Sequence, residues 1–152
     1  MSKIDPSAVP RLSAETLHAS TVATDGRAVV IMGPSGSGKS DLALRLLDRG
    51  FTLVSDDRTI IKRDGDRLVA SAPANLAGKL EIRGIGIVEM KAAGEIPVGL
   101  LVELTSDIQR LPDENRERPV LGVKLPLISI DAMTASAPSK VAIALDRMGL
   151  KF

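Results

Sequence analysis

Cysteine is absent from the 152 residues, which excludes disulfide scaffolds, thiolate metal sites and cysteine nucleophiles. Aromatic residues are almost absent as well. Phe51 and Phe152 are the whole set, so the stacking platforms that usually hold single-stranded nucleic acid are missing. The single histidine, His18, cannot build a multi-histidine metal site. Neither charge sign dominates: 20 basic residues face 19 acidic ones, for a formal net charge of +1. No global field recruits nucleic acid or an anionic membrane, although a local cluster can still serve a small acidic partner. No uncharged apolar run is long enough to span a bilayer, and the opening "MSKIDPSAVPRLSA" has no apolar signal-peptide core. These absences predict a soluble cytoplasmic protein that binds neither nucleic acid nor membrane.

With 44% hydrophobic residues the chain can bury one ordinary core. Residues 1–13, with two prolines and little periodicity, read as a loose arm, and residues 14–152 as one domain. "LHASTVATDGRAVVIMG" reads as two strands joined by Asp25-Gly26, the second of them central because Ala28 to Met32 is continuously apolar. From Lys39, Leu42, Ala43, Leu46 and Leu47 recur at helical spacing, and Gly50 offers a stop. "FTLVSDD", "TIIKRDGD" and "RLVASAP" predict a meander of short strands, and "GIGIVEM", "IPVGLLVEL" and "VKLPLISI" predict three more. "TSDIQRLPDENRERP" reads as an exposed loop. "SAPSKVAIALDRMG" reads as a closing helix with Pro138 in its first turn, an apolar stripe of Val141, Leu145 and Met148, and Gly149 at its end. The expected fold class is a strand-rich α/β domain.

The most informative stretch is "GPSGSGKS", comprising Gly33, Pro34, Ser35, Gly36, Ser37, Gly38, Lys39 and Ser40. It satisfies G-x-x-x-x-G-K-[ST] between an apolar strand and a helix, the context a phosphate-binding loop (Walker A, or P-loop) requires. Glycines allow backbone N–H groups to converge on an anion, and the helix start adds its positive dipole end. Lys39 is expected between the β- and γ-phosphates and the Ser40 hydroxyl on Mg²⁺. The only asparagines, Asn75 and Asn115, are not in a guanine-reading Asn-Lys-x-Asp element, so ATP is the expected nucleotide.

Two further features admit two readings each. Asp56-Asp57 ends "FTLVSDD". If the strand runs through both, at most one carboxylate faces the phosphates, as a Mg²⁺ ligand or a base. Alternatively both are solvated turn residues. In "KLEIRGIGIVEM", Ile82 separates Glu81 from Arg83, so a strand would put the two charges on one side, either as a functional pair or as a surface salt bridge.

Taken together, "GPSGSGKSDLALRLLDRG", "LVSDDRT" and "LEIRGIGIVEM" resemble the catalytic domain of HPr kinase/phosphorylase, with the three motifs in the same order. The resemblance covers the chain from about His18 to Arg110 and implies a fold of the HPr kinase and PEP carboxykinase type. It implies a short form carrying only the catalytic domain, dependent on ATP and Mg²⁺, that phosphorylates a serine of an HPr-type phosphocarrier. Inorganic phosphate would drive the reverse reaction, and the assembly would be a homo-oligomer, a hexamer in the family. By the same resemblance Lys39 and Ser40 are the loop's lysine and metal-binding serine, and Asp57 is the proton acceptor. Glu81 is a metal-associated carboxylate, with Asp56 a further metal candidate. Arg83 and Gly84 complete the signature, and His18 and Arg110 match a histidine upstream and an arginine downstream.

Three departures accompany the resemblance. The separate N-terminal domain of long members is not seen, Asp41 stands where glutamate is usual, and "SIDAMTASAPSKVAIAL" lacks the Gly-Arg-Asn element found before the last helix. An ATP-binding regulatory module without turnover and a small-molecule kinase are therefore alternatives.

Overall fold

A computed structural model describes residues 13–108 and 116–152. Its strands are β1 Ala14–Leu17, β2 Ala19–Thr24, β3 Arg27–Met32, β4 Thr52–Ser55, β5 Thr59–Asp64, β6 Arg67–Ser71, β7 Lys79–Ile82, β8 Gly86–Glu89, β9 Ile96–Leu104, β10 Glu117–Val120 and β11 Val123–Ile130. The helices are α1 Lys39–Asp48 and α2 Ala137–Met148. Nine strands form one sheet with the path β1-β5-β6-β9-β3-β2-β4, and β11 with β10 branches from β9. β3, β9 and β11 run parallel, and their C-terminal ends are therefore brought together.

The continuously apolar β3 and β9 sit where such strands must, covered on both faces. Val29, Ile31, Leu100 and Val102 pack under Leu42 and Leu46 of α1 and Val141 and Leu145 of α2. Val30, Val98 and Leu101 face the opposite way, against Ile61, Leu68 and Leu125. The sheet curls so that β5 returns against β2, where Thr59 and Thr21 share a buried hydroxyl contact of 2.8 Å.

The β2–β3 hairpin forms as expected, with Asp25 at φ 52 and Gly26 at φ 71, the left-handed pair that a two-residue turn of this hand demands. The expected meander does not form. β5 pairs with β6, but β4 lies beside β2 at the far end of the path. A tight bend at Asp56–Arg58, closed by Arg58 N–H donating to Asp56 O at 2.7 Å, redirects the chain from one layer to the other. "GIGIVEM" and "KLEI" leave the main sheet altogether as the two-stranded β7–β8 hairpin, and Leu80 anchors it with a fully buried side chain. The segment expected as loop ends in β10, where Pro119 is tolerated because β10 pairs only with β11. Residues 109–115 of that loop and residues 1–12 of the arm lie outside the described residues.

α2 covers the expected residues, but Met148 is half exposed and Ala144 completes the buried stripe instead. Its C-terminal end is held by Arg27 of β3, whose Nη1 donates to Leu145 O at 2.9 Å and more distantly to Leu150 O at 3.4 Å. A cation there satisfies helix carbonyls and opposes the dipole. Among the described residues no helix is long and apolar enough to cross a membrane. Arg27→Met, which keeps most of the aliphatic stem, is expected to destabilise the domain by about 1–2 kcal/mol in urea unfolding.

Candidate active site

The loop Gly33–Ser40 joins the end of β3 to the start of α1, at the edge where the parallel strands terminate. Its glycines are there for space and dihedral angle. Gly36 and Gly38 have φ of 79 and 99, and a Cβ on Gly33 would lie 2.6 Å from Ser37 Oγ. Among the described residues no side chain caps α1, so none of them competes for its first N–H groups. Lys39 folds back over the loop, donating from Nζ to Gly33 O at 2.8 Å and Pro34 O at 3.1 Å. Ser37 Oγ is buried and has no hydrogen-bond partner among the described residues.

The strand β4 stops at Ser55, so the two aspartates do not alternate across a sheet. Asp56 turns inward and is 6% exposed. Its Oδ1 accepts from Ser20 Oγ at 2.8 Å and from Ser40 Oγ at 2.7 Å, and its Oδ2 accepts from the Glu81 amide at 3.2 Å. Asp57 turns outward, exposed, with φ 67, and its amide donates to Ser20 Oγ at 3.2 Å. A left-handed conformation costs a non-glycine residue about 1–2 kcal/mol, least for Asp and Asn. That twist is what lets both carboxylates of one dipeptide belong to the same site.

These groups line an open cleft of about 1340 Å³. The loop forms one wall through Gly33, Pro34, Ser35, Gly36, Gly38, Lys39 and Ser40, with Asp57 beside it. Glu81, Arg83 and Gly84 come from the β7–β8 hairpin, and His18 from the bend between β1 and β2. β7 ends at Ile82, which also lines the cleft, so a turn rather than strand alternation puts Arg83 there. Asp56 lies behind the wall, and Arg110 is outside the described residues. The motifs gave no sign of Ser20 or of Met133. Met133 is held at the rim because Arg45 of α1 donates to Thr134 O at 3.2 Å and to Ala132 O. Among the described residues no group of three or more His, Asp and Glu side chains forms a metal cage.

The chain is similar to known proteins in sequence and fold. The family model for the HPr Serine kinase C-terminal domain matches residues 11–145. A protein named HPr kinase/phosphorylase from Chlorobium limicola is 36% identical over 150 residues, covering 89% of this chain and 44% of the relative. A protein of the same name from Limosilactobacillus reuteri is 38% identical over 133 residues, covering 79% of this chain and 42% of its own length. The chain thus spans less than half the length of these curated relatives. The solved structure of the Hpr(Ser) kinase/phosphatase from Coxiella burnetii superposes with a TM-score of 0.76 at 28% identity, covering 87% of this chain and 94% of that one.

Replacing Asp56 by alanine strips an acceptor from two hydroxyls and an amide. The expected loss is about 2–3 kcal/mol of unfolding free energy in urea.

Proposed function

The chain belongs to the HPr serine kinase family through its C-terminal domain, and on that premise we propose an ATP- and Mg²⁺-dependent kinase acting on a serine of an HPr-type phosphocarrier. The observation that carries the reading is the cleft shared by Lys39, Ser40, Asp57, Glu81 and Arg83. The nucleotide supplies the γ-phosphoryl group, and its metal spreads the charge that develops during in-line displacement.

The residues present suit such a ligand. Lys39 Nζ meets only backbone carbonyls and forms no ion pair with a carboxylate among the described residues, so its charge is free to turn to phosphate oxygens. The unobstructed helix start offers N–H groups to the same anion. The Ser40 hydroxyl spends its proton on Asp56, which leaves oxygen lone pairs for a cation. Mg²⁺ typically keeps several waters and takes one or two protein oxygens beside the phosphates, so a cage of three carboxylates is not required. Glu81 would add a carboxylate to help hold the cation.

Asp57 is the proposed base. As the acceptor serine oxygen bonds to the γ-phosphorus and the bond to the leaving ADP oxygen breaks, the serine proton passes to the Asp57 carboxylate. Arg83, on the exposed hairpin turn, meets phosphate or the carrier, and Gly84 at φ 86 allows close backbone approach. His18 lines the same cleft as a further polar group.

Labelled ATP and Mg²⁺ with an HPr-type carrier should give phosphoserine, and Lys39→Ala should abolish it. Asp57→Asn should bind ATP as tightly as the wild type and lose about 10²–10⁴-fold in kcat. Tight Mg²⁺-dependent ATP binding without any labelling would replace the kinase by a nucleotide sensor.

A further inference from the structure

We propose that Ser20, a buried residue of β2, is a positioning residue that fixes the direction in which Asp57 enters the cleft. The catalytic consequence rests on the kinase reading, whereas the geometric coupling stands on this chain alone. Ser20 is 0% exposed, lies 36 residues before Asp56 and does not itself line the cleft. Its hydroxyl does two things at once. It donates to Asp56 Oδ1 at 2.8 Å and accepts from the Asp57 amide at 3.2 Å, which uses the one proton and a lone pair of a hydroxyl.

The left-handed backbone at Asp57 needs such a restraint. Two bonds close the bend on itself, Arg58 N–H to Asp56 O and Ser55 Oγ to Arg58 O, while the bonds from Ser40 and the Glu81 amide reach the Asp56 carboxylate and leave the Asp57 backbone free. The Ser20 hydroxyl is what ties the Asp57 amide to another strand, and that strand is gripped on both sides by β3 and β4. Asp56 Oδ1 receives the Ser40 hydroxyl as well as that of Ser20. The serine of the phosphate loop and the amide of the base are therefore joined by three consecutive hydrogen bonds. A threonine pair next door supplies an internal control: Thr21 meets Thr59 at 2.8 Å, is equally buried, and among the described residues its hydroxyl makes no hydrogen bond to either aspartate.

The test uses the full chain and the variants Ser20→Ala, Ser20→Thr and Thr21→Val. Three quantities are measured: amide hydrogen exchange at Asp57 without ligand, ATP affinity, and phosphorylation of an HPr-type carrier. In Ser20→Ala, exchange at Asp57 should speed up severalfold and kcat should fall by about 10- to 100-fold with ATP affinity unchanged. Ser20→Thr, which keeps the hydroxyl, should restore both. Thr21→Val should lower Tm while leaving exchange at Asp57 and kcat at wild-type values. Should the alanine cavity unfold the chain, Ser20→Cys gives the same readout through a weakly bonding thiol of similar size. Wild-type exchange at Asp57 together with wild-type kcat in Ser20→Ala, or in Ser20→Cys where the alanine variant unfolds, would overturn the proposal. If the unaltered chain transfers no phosphate, the kinase reading fails, and the exchange comparison still decides the coupling.

Discussion

A carboxylate taken out of water has to be satisfied by the groups around it, and Asp56 is such a carboxylate, 6% exposed and in no ion pair among the described residues. Its donors come from three distant parts of the chain: Ser20 of β2, Ser40 at the start of α1 and the amide of Glu81 in β7. Satisfying one buried anion therefore draws a central sheet strand, the glycine-rich loop and the β7–β8 hairpin to a single point. The cleft is the space left on the solvent side of that point.

The same constraint explains why adjacent aspartates behave differently. Asp56 is committed to the interior, so the chain must twist at Asp57 to leave β4 and enter β5. The left-handed angle there presents the second carboxylate to solvent beside the loop. Charge distribution along the cleft follows: Lys39 comes from the loop, Asp57 from the bend after β4, and Glu81 and Arg83 from the β7–β8 hairpin. On the proposed function, such a site would hold an anionic ligand by backbone N–H groups and one ammonium, with Asp57 placed to take a proton.

Much of this was legible in the sequence. The run Ala28 to Met32, the spaced glycines and the apolar stripe of α1 each carry their own local signal, so strand, loop and helix follow from periodicity alone. β9 and β11 match the runs "IPVGLLVEL" and "VKLPLISI", because buried strands are continuous apolar runs. Pairing was not legible. Nothing local says that β4 lies beside β2 rather than β5, or that charged residues near Pro119 form an edge strand. The resemblance separated Asp57 from Asp56, but periodicity could not say which of the two turns inward, because that depends on one backbone angle. Ser20 was hidden because a lone serine in a strand carries no sign of the carboxylate it will meet.

On the proposed function Asp56 stays buried as the organising carboxylate while Lys39, Ser40 and Asp57 serve the ligand. A crystal structure with Mg²⁺ and a non-hydrolysable ATP analogue tests it most directly. The account predicts phosphates in the Gly33–Ser40 loop, Lys39 Nζ moved from the carbonyls of Gly33 and Pro34 to phosphate oxygens, Ser40 Oγ on the metal, and the bonds of Asp56 to Ser20 and to the Glu81 amide intact. A nucleotide bound elsewhere, or Asp56 swung out to the metal with its bond to Ser20 broken, would contradict it.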